Sequence, residues 1–249
     1  RKQRPRGSIA AMELERILHK HGFGTRKGCR AIVRQGRVTV NGAPCADPFA
    51  DFATAGLVFT VDGVAWPYRE FATLMLYKPV DYECSRKPKH HPGVLTLLPA
   101  PLRERDVQPI GRLDEDTTGL LLITDDGRLN HVLSSPKHKV AKIYLATTKH
   151  PVDAAQINSL LAGVVLHDDP LPVRAAAAEV VGENLLRLTL TEGKYHQVKR
   201  MVAAAGNRVE APHKAALGEL TLPQDMQPGE WRWLEAADFA KLGLEEKRP

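Results

Sequence analysis

The sequence predicts an α+β protein, with a small basic N-terminal module followed by a larger domain built mainly on antiparallel sheet. Residues 12–70 follow the order helix, turn, helix, strand, hairpin, whereas residues 71–245 contain several short strand-like runs and few helical stretches. The balance of basic and acidic residues also changes near residue 70. Residues 1–70 carry 12 Lys or Arg against 6 Asp or Glu, and the rest of the chain carries 23 of each. This asymmetry indicates a polyanionic partner for the N-terminal part.

The N-terminal module is predicted to contain two helices and a hairpin. Apolar residues at helical spacing predict the first helix over 14–18, and Thr25 is a candidate N-cap for a second helix that runs to about Gln35. Residues 37–40 alternate like a strand and lead into Asn41-Gly42, which is a strong hairpin-turn pair.

Further elements are predicted along both regions. Helices are expected near residues 153–162 and 196–205. Strands are expected at Leu57–Val61, Leu74–Tyr77, Leu120–Thr124 and Leu185–Leu190.

These patterns divide the chain into domains. The N-terminal module covers 12–59, a linker covers 60–70, and the larger domain covers 71–245. A basic low-complexity leader, for which disorder is one interpretation, precedes the module over 1–11, and a short tail covers 246–249. If the leader is not native, residues 12–70 keep a net charge of only +2.

Composition excludes several classes of protein. No apolar run reaches the ~18 residues that a membrane span requires. The three cysteines are widely separated and odd in number, which predicts neither a disulfide framework nor a metal site and favours the reducing cytoplasm.

The second helix presents a basic face. Arg26, Arg30 and Arg34 are four residues apart, and Lys27 flanks them. Like charges at this spacing repel, so the face is either simply solvated or neutralised by the phosphates of a nucleic acid. The order of elements over residues 12–59 resembles the RNA-binding domain of ribosomal protein S-four.

Residues 111–127 form a polar loop that leads into an apolar strand. Three carboxylates, Asp114, Glu115 and Asp116, lie in this loop beside Arg112. From spacing alone, Asp114 would be a loop or capping carboxylate. Asp125-Asp126-Gly127, at the end of the strand, is interpreted as a hairpin turn.

This segment, Gly-Arg-Leu-Asp followed by Thr-Thr-Gly-Leu, resembles the signature of the RsuA family of pseudouridine synthases. The resemblance implies a pseudouridine synthase fold for the larger domain. It also implies that a uridine within RNA is isomerised to pseudouridine, without a metal or other cofactor. Further blocks that resemble the family are Lys78-Pro79 with Tyr82 and Cys84-Ser85, Ser134–Pro136, Lys142 with Tyr144, and Glu192–Met201.

The resemblance assigns roles to individual residues. Asp114 corresponds to the catalytic aspartate, which either attacks the anomeric carbon or removes a ribose proton. Lys199 is the cation expected beside it, with Arg200 as second choice; the alternative for both is phosphate contact or a solvated helix face. Tyr144 packs on the uracil and assists proton transfer from C5, unless it is an ordinary strand tyrosine. Arg112 helps to displace the target nucleotide, unless it pairs with a neighbouring carboxylate.

Other polar residues of these blocks receive structural or RNA-binding interpretations. His196 is expected to shape its loop, and Lys78 and Lys142 are expected to contact RNA or to charge a strand edge. The chain departs from the family at Asp81, where glycine is usual, and at Lys214, where arginine is usual. Aspartate tolerates the left-handed conformation that such a turn requires.

Similarity to the small-subunit members of the family, carried by residues 82–85, 117–118 and 134–136, predicts one uridine of 16S rRNA as the target. The RNA is expected to be folded or partly covered by ribosomal proteins, and the enzyme to be a monomer. The alternatives are a large-subunit (23S) rRNA synthase, a non-catalytic ribosome-assembly factor that only binds RNA, and a glycosidase acting on free nucleosides.

Overall fold

The computed structural model describes residues 10–244, so residues 1–9 of the predicted leader and the predicted tail, 246–249, lie outside the described residues. The chain divides into two compact units. The N-terminal unit comprises the chain up to Ala72 together with Leu98–Val107. The second unit comprises Thr73–Leu97 and the chain from Gln108 onward.

The N-terminal unit contains the helices and hairpin predicted for it. Thr25 caps the second helix by accepting a hydrogen bond from the Gly28 N–H at 3.1 Å, and Asn41 and Gly42 both adopt the left-handed backbone of a tight hairpin turn. The elements are β1 (Ala11–Glu13), α1 (Leu14–Lys20), α2 (Arg26–Arg34), β2 (Val38–Val40), β3 (Ala43–Pro44), β4 (Asp51–Ala53), β5 (Val58–Val61) and β6 (Val64–Pro67).

Residues 60–70 do not form a linker. They include the end of β5 and all of β6, which pair with each other in a four-stranded sheet of order β3-β2-β5-β6. Trp66 of β6 is buried. β6 is short and begins directly after the turn at Gly63, which explains why the sequence did not predict a strand there.

The N-terminal unit also includes Leu98–Val107, which the sequence analysis placed in the larger domain. This segment contains α3 (Ala100–Glu104) and buries Leu102. The Arg105 guanidinium donates to the Arg69 carbonyl at 3.1 Å. Gly22 approaches the segment so closely that a Cβ on it would lie 1.9 Å from the Pro101 carbonyl oxygen.

The second unit confirms the prediction of mixed α+β structure with a largely antiparallel sheet. Its elements are β7 (Thr73–Lys78), a 3-10 turn (Val94–Leu97), β8 (Gln108–Ile110), β9 (Thr118–Thr124), α4 (Gly127–Ser134), β10 (Lys142–Thr148), α5 (Ala154–Ala162), β11 (Val164–Leu166), β12 (Asp169–Val173), β13 (Ala177–Gly182), β14 (Leu185–Leu190), α6 (Gln197–Ala204), β15 (Val209–Leu217), β16 (Leu220–Thr221), β17 (Trp231–Trp233) and α7 (Ala236–Lys241).

The main sheet has the order β13-β14-β10-β15-β9-β7-β17, with β16 beside β15 and β8 beside β9. One core packs β10, β13 and β14 against α5 and α6, and another packs β7 and β9 against α4 and α7. Among residues 10–244, no helix has the length and apolar character that a bilayer span requires.

The centre of the sheet is a parallel pair, β9 with β15, whereas the other pairs of this sheet are antiparallel. Gly119 lies opposite Lys214 there with φ +112°, and a Cβ on Gly119 would lie 2.1 Å from the Lys214 carbonyl oxygen. Lys78 pairs with Gly119 on one side, and Tyr144 pairs with Lys214 on the other. Lys78, Gly119, Lys214 and Tyr144 therefore form one row across four strands.

The predicted hairpin turn at Asp125-Asp126-Gly127 is wrong. Asp126 is instead the N-cap of α4, where its carboxylate accepts hydrogen bonds from the backbone N–H groups of Arg128 and Leu129 at 3.0 and 3.3 Å. The helix is fixed by burial of Leu129 and Leu133, which are four residues apart and face the core.

Candidate active site

The candidate site is built on the loop between β8 and β9, which carries the acidic motif. Leu113 is buried and anchors the loop, while Asp114 and Asp116 are partly exposed. The Thr117 N–H donates to the Asp114 carbonyl at 3.0 Å, which closes a turn just before β9. Folding of this turn holds the Asp114 carboxylate at the edge of the sheet.

Two groups from the Glu192–Met201 block reach this carboxylate. His196 Nε2 lies 3.1 Å from Asp114 Oδ1, and Lys199 Nζ lies 3.8 Å from Asp114 Oδ2. Lys199 is closer to Asp116, to which it donates at 2.7 Å. The structure thus brings Lys199 to Asp114, as the sequence predicted, but shares its charge between two carboxylates.

His196 contacts the Asp114 carboxylate directly, whereas it was predicted only to shape its loop. It caps the start of α6 in the left-handed conformation, at φ 48°, and its ring stacks on Tyr195 at a centroid distance of 3.8 Å. Strained backbone of this kind persists where the surroundings hold it, and it clusters at functional sites. The sequence carries no signal for this contact, because it depends on that unusual backbone.

Tyr144 lies on β10, partly buried against the core that contains α6. Burial, and then the charge of Asp114, raises the pKa of Tyr144 to about 12. Its hydroxyl is therefore protonated at neutral pH and serves as a hydrogen-bond donor rather than a phenolate.

Lys78 is fully buried, so its interpretation as an RNA contact or strand-edge charge is wrong. Its Nζ donates to the carbonyl oxygens of Pro79, Glu115 and Thr117 at 3.0, 3.2 and 2.8 Å. Burial lowers the pKa of Lys78, and the charges of nearby acidic groups oppose that shift. Lys78 therefore ties the acidic loop to the end of β7.

Two more lysines lie beside this loop on neighbouring strands. Burial lowers the pKa of Lys142, and burial together with the charge of Lys142 lowers the pKa of Lys214 to about 8. Cys84, whose Sγ accepts the Leu113 N–H at 3.4 Å, acts electrostatically on Lys214, and burial raises the pKa of its thiol. Cys84 thus contacts the Leu113–Asp114 turn and interacts electrostatically with Lys214.

The remaining predicted residues of this unit lie toward the surface. Arg112 is exposed and forms no salt bridge within residues 10–244. Arg200 donates to the Tyr195 carbonyl at 2.9 Å and pairs with Asp168, so it supports the loop rather than Asp114.

Asp81 and the neighbouring histidine account for the departure from the family's glycine. Asp81 has φ 65°, and its N–H donates to the Glu115 carbonyl at 2.8 Å, so the left-handed turn is kept. His91 Nε2 lies 4.0 Å from Asp81 Oδ1 and 3.6 Å from Glu115 Oε2. The carboxylate of Asp81 therefore faces a histidine that can carry positive charge.

The basic helix α2 belongs to the N-terminal unit, and its residues differ in their surroundings. Arg26, Lys27 and Arg34 are exposed, and the Arg34 guanidinium lies 5.9 Å from the centre of the Phe49 ring. Arg30 donates to the buried carboxylate of Glu15 at 2.8 Å. The positive charge of Arg30 is therefore already paired with a carboxylate of the N-terminal unit.

The site is a carboxylate between a lysine and a histidine, with a protonated tyrosine and buried lysines on the same sheet. A carboxylate is the kind of group that can act as a nucleophile or as a base. The part of the chain that the structure describes contains no group of three His, Cys, Asp or Glu side chains placed to hold a metal ion.

Comparison with known proteins assigns the chain to a family. Residues 72–204 match the profile of RNA pseudouridylate synthases, and residues 12–48 match the S4 domain. The chain is 43% identical to the "Ribosomal small subunit pseudouridine synthase A" of Yersinia pestis over 68% of this chain and 72% of that protein.

Two further matches extend over almost the whole chain. The protein of the same name from Pasteurella multocida is 35% identical over 92% of this chain and 98% of its own length. A solved structure described as a pseudouridylate synthase superposes with a TM-score of 0.66 at 31% identity, covering 93% of this chain and 99% of that one. The chain is therefore an enzyme of the RNA pseudouridylate synthase family and carries an N-terminal S4 domain.

Proposed function

We propose that this enzyme converts a uridine of 16S ribosomal RNA to pseudouridine, with Asp114 as the catalytic carboxylate. The observation that carries the proposal is the position of Asp114, 3.1 Å from His196 and 3.8 Å from Lys199, at the edge of the sheet beside Tyr144. The small-subunit target rests on the names of the relatives, which are 35–43% identical.

The reaction breaks the bond between C1′ of the ribose and N1 of uracil. Asp114 acts on the ribose, either by bonding to C1′ or by removing a proton from the sugar. The freed uracil turns, C5 bonds to C1′, the C5 proton leaves and N1 gains a proton, so that atoms and charge balance without an oxidant or reductant. Tyr144 packs against the uracil and holds it for the second bond.

Arg112, exposed at the start of the acidic loop, is proposed to help displace the target nucleotide from its stack. Arg200, which pairs with Asp168 and not with Asp114, is proposed to contact an RNA phosphate. Arg26, Lys27 and Arg34 of the S4 domain are proposed to contact phosphates, which position the RNA without reading its sequence.

Pseudouridine-specific chemical mapping of rRNA tests the function. Unmodified 16S rRNA, naked and as partly assembled subunits, is expected to gain one pseudouridine in at least one assembly state. A product confined to 23S rRNA would replace the small-subunit assignment. Binding without product would favour an assembly factor, and free uracil in solution a glycosidase. Size-exclusion chromatography with light scattering checks the proposed monomer.

The hydroxyl and the ring of Tyr144 are expected to contribute separately. Tyr144→Phe keeps the packing surface and should lower the single-turnover rate by about 10–10²-fold, whereas Tyr144→Ala should lower it further. The affinity for RNA should change little in Tyr144→Phe. Equal rates for Tyr144→Phe and wild type would remove the hydroxyl from the mechanism.

The S4 domain arginines are expected to differ in their salt dependence. Arg26→Ala and Arg34→Ala should each flatten the slope of log K against log salt by roughly one unit, because each loses a phosphate contact. Arg30→Ala should instead destabilise the N-terminal unit by about 1–3 kcal/mol, because it leaves the buried Glu15 carboxylate without its partner.

Arg37→Ala is the matched control for the salt titration. It removes the same charge from the same unit, but Arg37 is neutralised by Asp62 through two hydrogen bonds of 2.8 and 2.7 Å. Its slope should equal that of wild type. If all of these variants share one slope, the basic face of α2 is only solvated.

A further inference from the structure

The Lys214 side chain is a buried cation without a partner among residues 10–244. Only 8% of the residue is exposed, and the side chains of Lys214 and Lys142 form no hydrogen bond or salt bridge within that part of the chain. Lys78, which is fully buried, gives its amine to three carbonyl oxygens. A buried ammonium left without a partner is unfavourable, so Lys214 calls for an explanation beyond packing.

The sheet places Lys214 beside the proposed uracil-packing residue. Tyr144 lies directly opposite Lys214 in the antiparallel pair of β10 and β15, so both side chains project from the same face. Lys142 is two residues from Tyr144 on β10 and projects from that face as well, because the pairing of β10 with β14 is continuous there, although the pairing with β15 shifts between Ile143 and Tyr144. Gly119, on the other side of Lys214, adds no side chain to the row.

Electrostatic interactions also connect Tyr144 and Lys214 with the acidic loop. The charge of Asp114 acts on both Tyr144 and Cys84, and Cys84 acts on Lys214. The Lys214 residue is not completely enclosed, because 8% of it is exposed. A ligand that packs on Tyr144 would thus lie next to Lys214 on the same face of the sheet.

The reaction creates a matching charge. When the bond between C1′ and N1 breaks, its electron pair stays on the uracil and spreads over N1 and the two carbonyl oxygens. A fixed donor in a poorly solvated site stabilises such developing charge strongly, because nothing has to reorganise. Within residues 10–244 the Lys214 ammonium has no hydrogen bond to give up before it can donate to the uracil.

We propose that Lys214 is a further catalytic residue, whose ammonium donates a hydrogen bond to a uracil carbonyl oxygen as the ring becomes anionic. The inference rests on the proposed function. The electron pair moves from the C1′–N1 bond into the ring and then into the new bond between C5 and C1′. The C5 proton leaves, N1 is protonated, and Lys214 stays protonated throughout.

The charge on this lysine gives the proposal a pH signature. The groups that act on it are Lys142 on β10 and Cys84 after β7, and Tyr144 faces it across the strand pair. Burial, followed by the charge of Lys142, lowers the pKa of Lys214 to about 8. Because the protonated amine is the active form, the chemical rate should be constant below that pH and fall as the pH rises through it.

The test is a single-turnover assay with full-length enzyme and an RNA that contains the target uridine. Lys214→Met should lower the rate constant by about 10²-fold or more without weakening RNA binding. Lys214→Arg should keep much of the rate and lose the fall near pH 8, because a guanidinium stays charged. Lys142→Met should move the fall to higher pH by removing the repulsion, whereas Cys84→Ala should not move it to higher pH, because Cys84 opposes the lowering of the Lys214 pKa.

The outcomes separate this proposal from the one before it. A rate within twofold of wild type in Lys214→Met, or an unshifted fall in Lys142→Met, would overturn the role of Lys214. If the arginine variant does not fold, as circular dichroism would reveal, the rate of Lys214→Met and the pH profile of Lys142→Met decide. Failure of wild-type enzyme to form pseudouridine refutes the proposed function instead.

Discussion

Asp114→Asn is expected to lower pseudouridine formation by at least about 10⁴-fold while the protein stays folded and binds RNA. Asparagine has the same shape but can neither attack C1′ nor accept a ribose proton. Asp114 is one-third exposed, so loss of its charge costs the fold little. RNA binding should hold or tighten, because one negative charge near the phosphates is removed.

Glu115→Gln is the matched control for this result. It makes the same change of charge in the neighbouring residue of the same loop, but the Glu115 side chain faces His91 rather than His196 and Lys199. Rates are measured by single-turnover formation of pseudouridine, and affinities by filter binding. Comparable losses in both variants would mean that the loop needs only its charge, and Asp114 would lose its assigned role.

Gly119→Ala is expected to destabilise the second unit by more than about 4 kcal/mol. The added Cβ would lie 2.1 Å from the Lys214 carbonyl oxygen and 2.9 Å from its amide nitrogen, and both obstacles are backbone atoms. The φ of +112° adds strain for any L residue. Relief would require β9 and β15 to separate at the centre of the sheet.

Gly127→Ala provides the comparison in urea denaturation. Gly127 starts α4 with no atom within 4 Å of an added Cβ, so the change should alter the free energy of unfolding by less than about 1 kcal/mol. An unfolding midpoint for Gly119→Ala that matches the one for Gly127→Ala would contradict the close approach of the two strands.

Local patterns were sufficient for much of the secondary structure. Leu185–Leu190 forms a strand as predicted, and Thr25 caps its helix because a side-chain acceptor there satisfies an amide that the helix leaves free. The pattern failed at Asp126-Gly127, where a hairpin turn and a helix N-cap use the same residue types. Burial of Leu129 and Leu133, a tertiary effect, decided between them.

The candidate site was predictable only in part. The resemblance to a known family pointed to Asp114, Tyr144 and Lys199, which composition and spacing alone could not have chosen. The resemblance marked Lys214 only as a departure from the family's usual arginine, because its setting depends on a pairing of residues 119 and 214, which lie far apart in the chain. Lys78 was misjudged for a similar reason: a lysine at a strand end looks exposed until the loop that covers it is known.

Leu98–Val107 belongs to the N-terminal unit although it follows Ala72 by many residues in the chain. This affects how the unit is completed during synthesis and how it can be transferred to another protein. The Arg105 side chain donates hydrogen bonds to the backbone carbonyls of Arg69 and Glu70, and Gly22 lies against Pro101. During synthesis, the unit cannot be completed until about 35 residues beyond Ala72 have left the ribosome. A graft of residues 12–72 onto another enzyme would therefore transplant an unfinished domain, and a working chimera would have to carry the helix at Ala100–Glu104 with it.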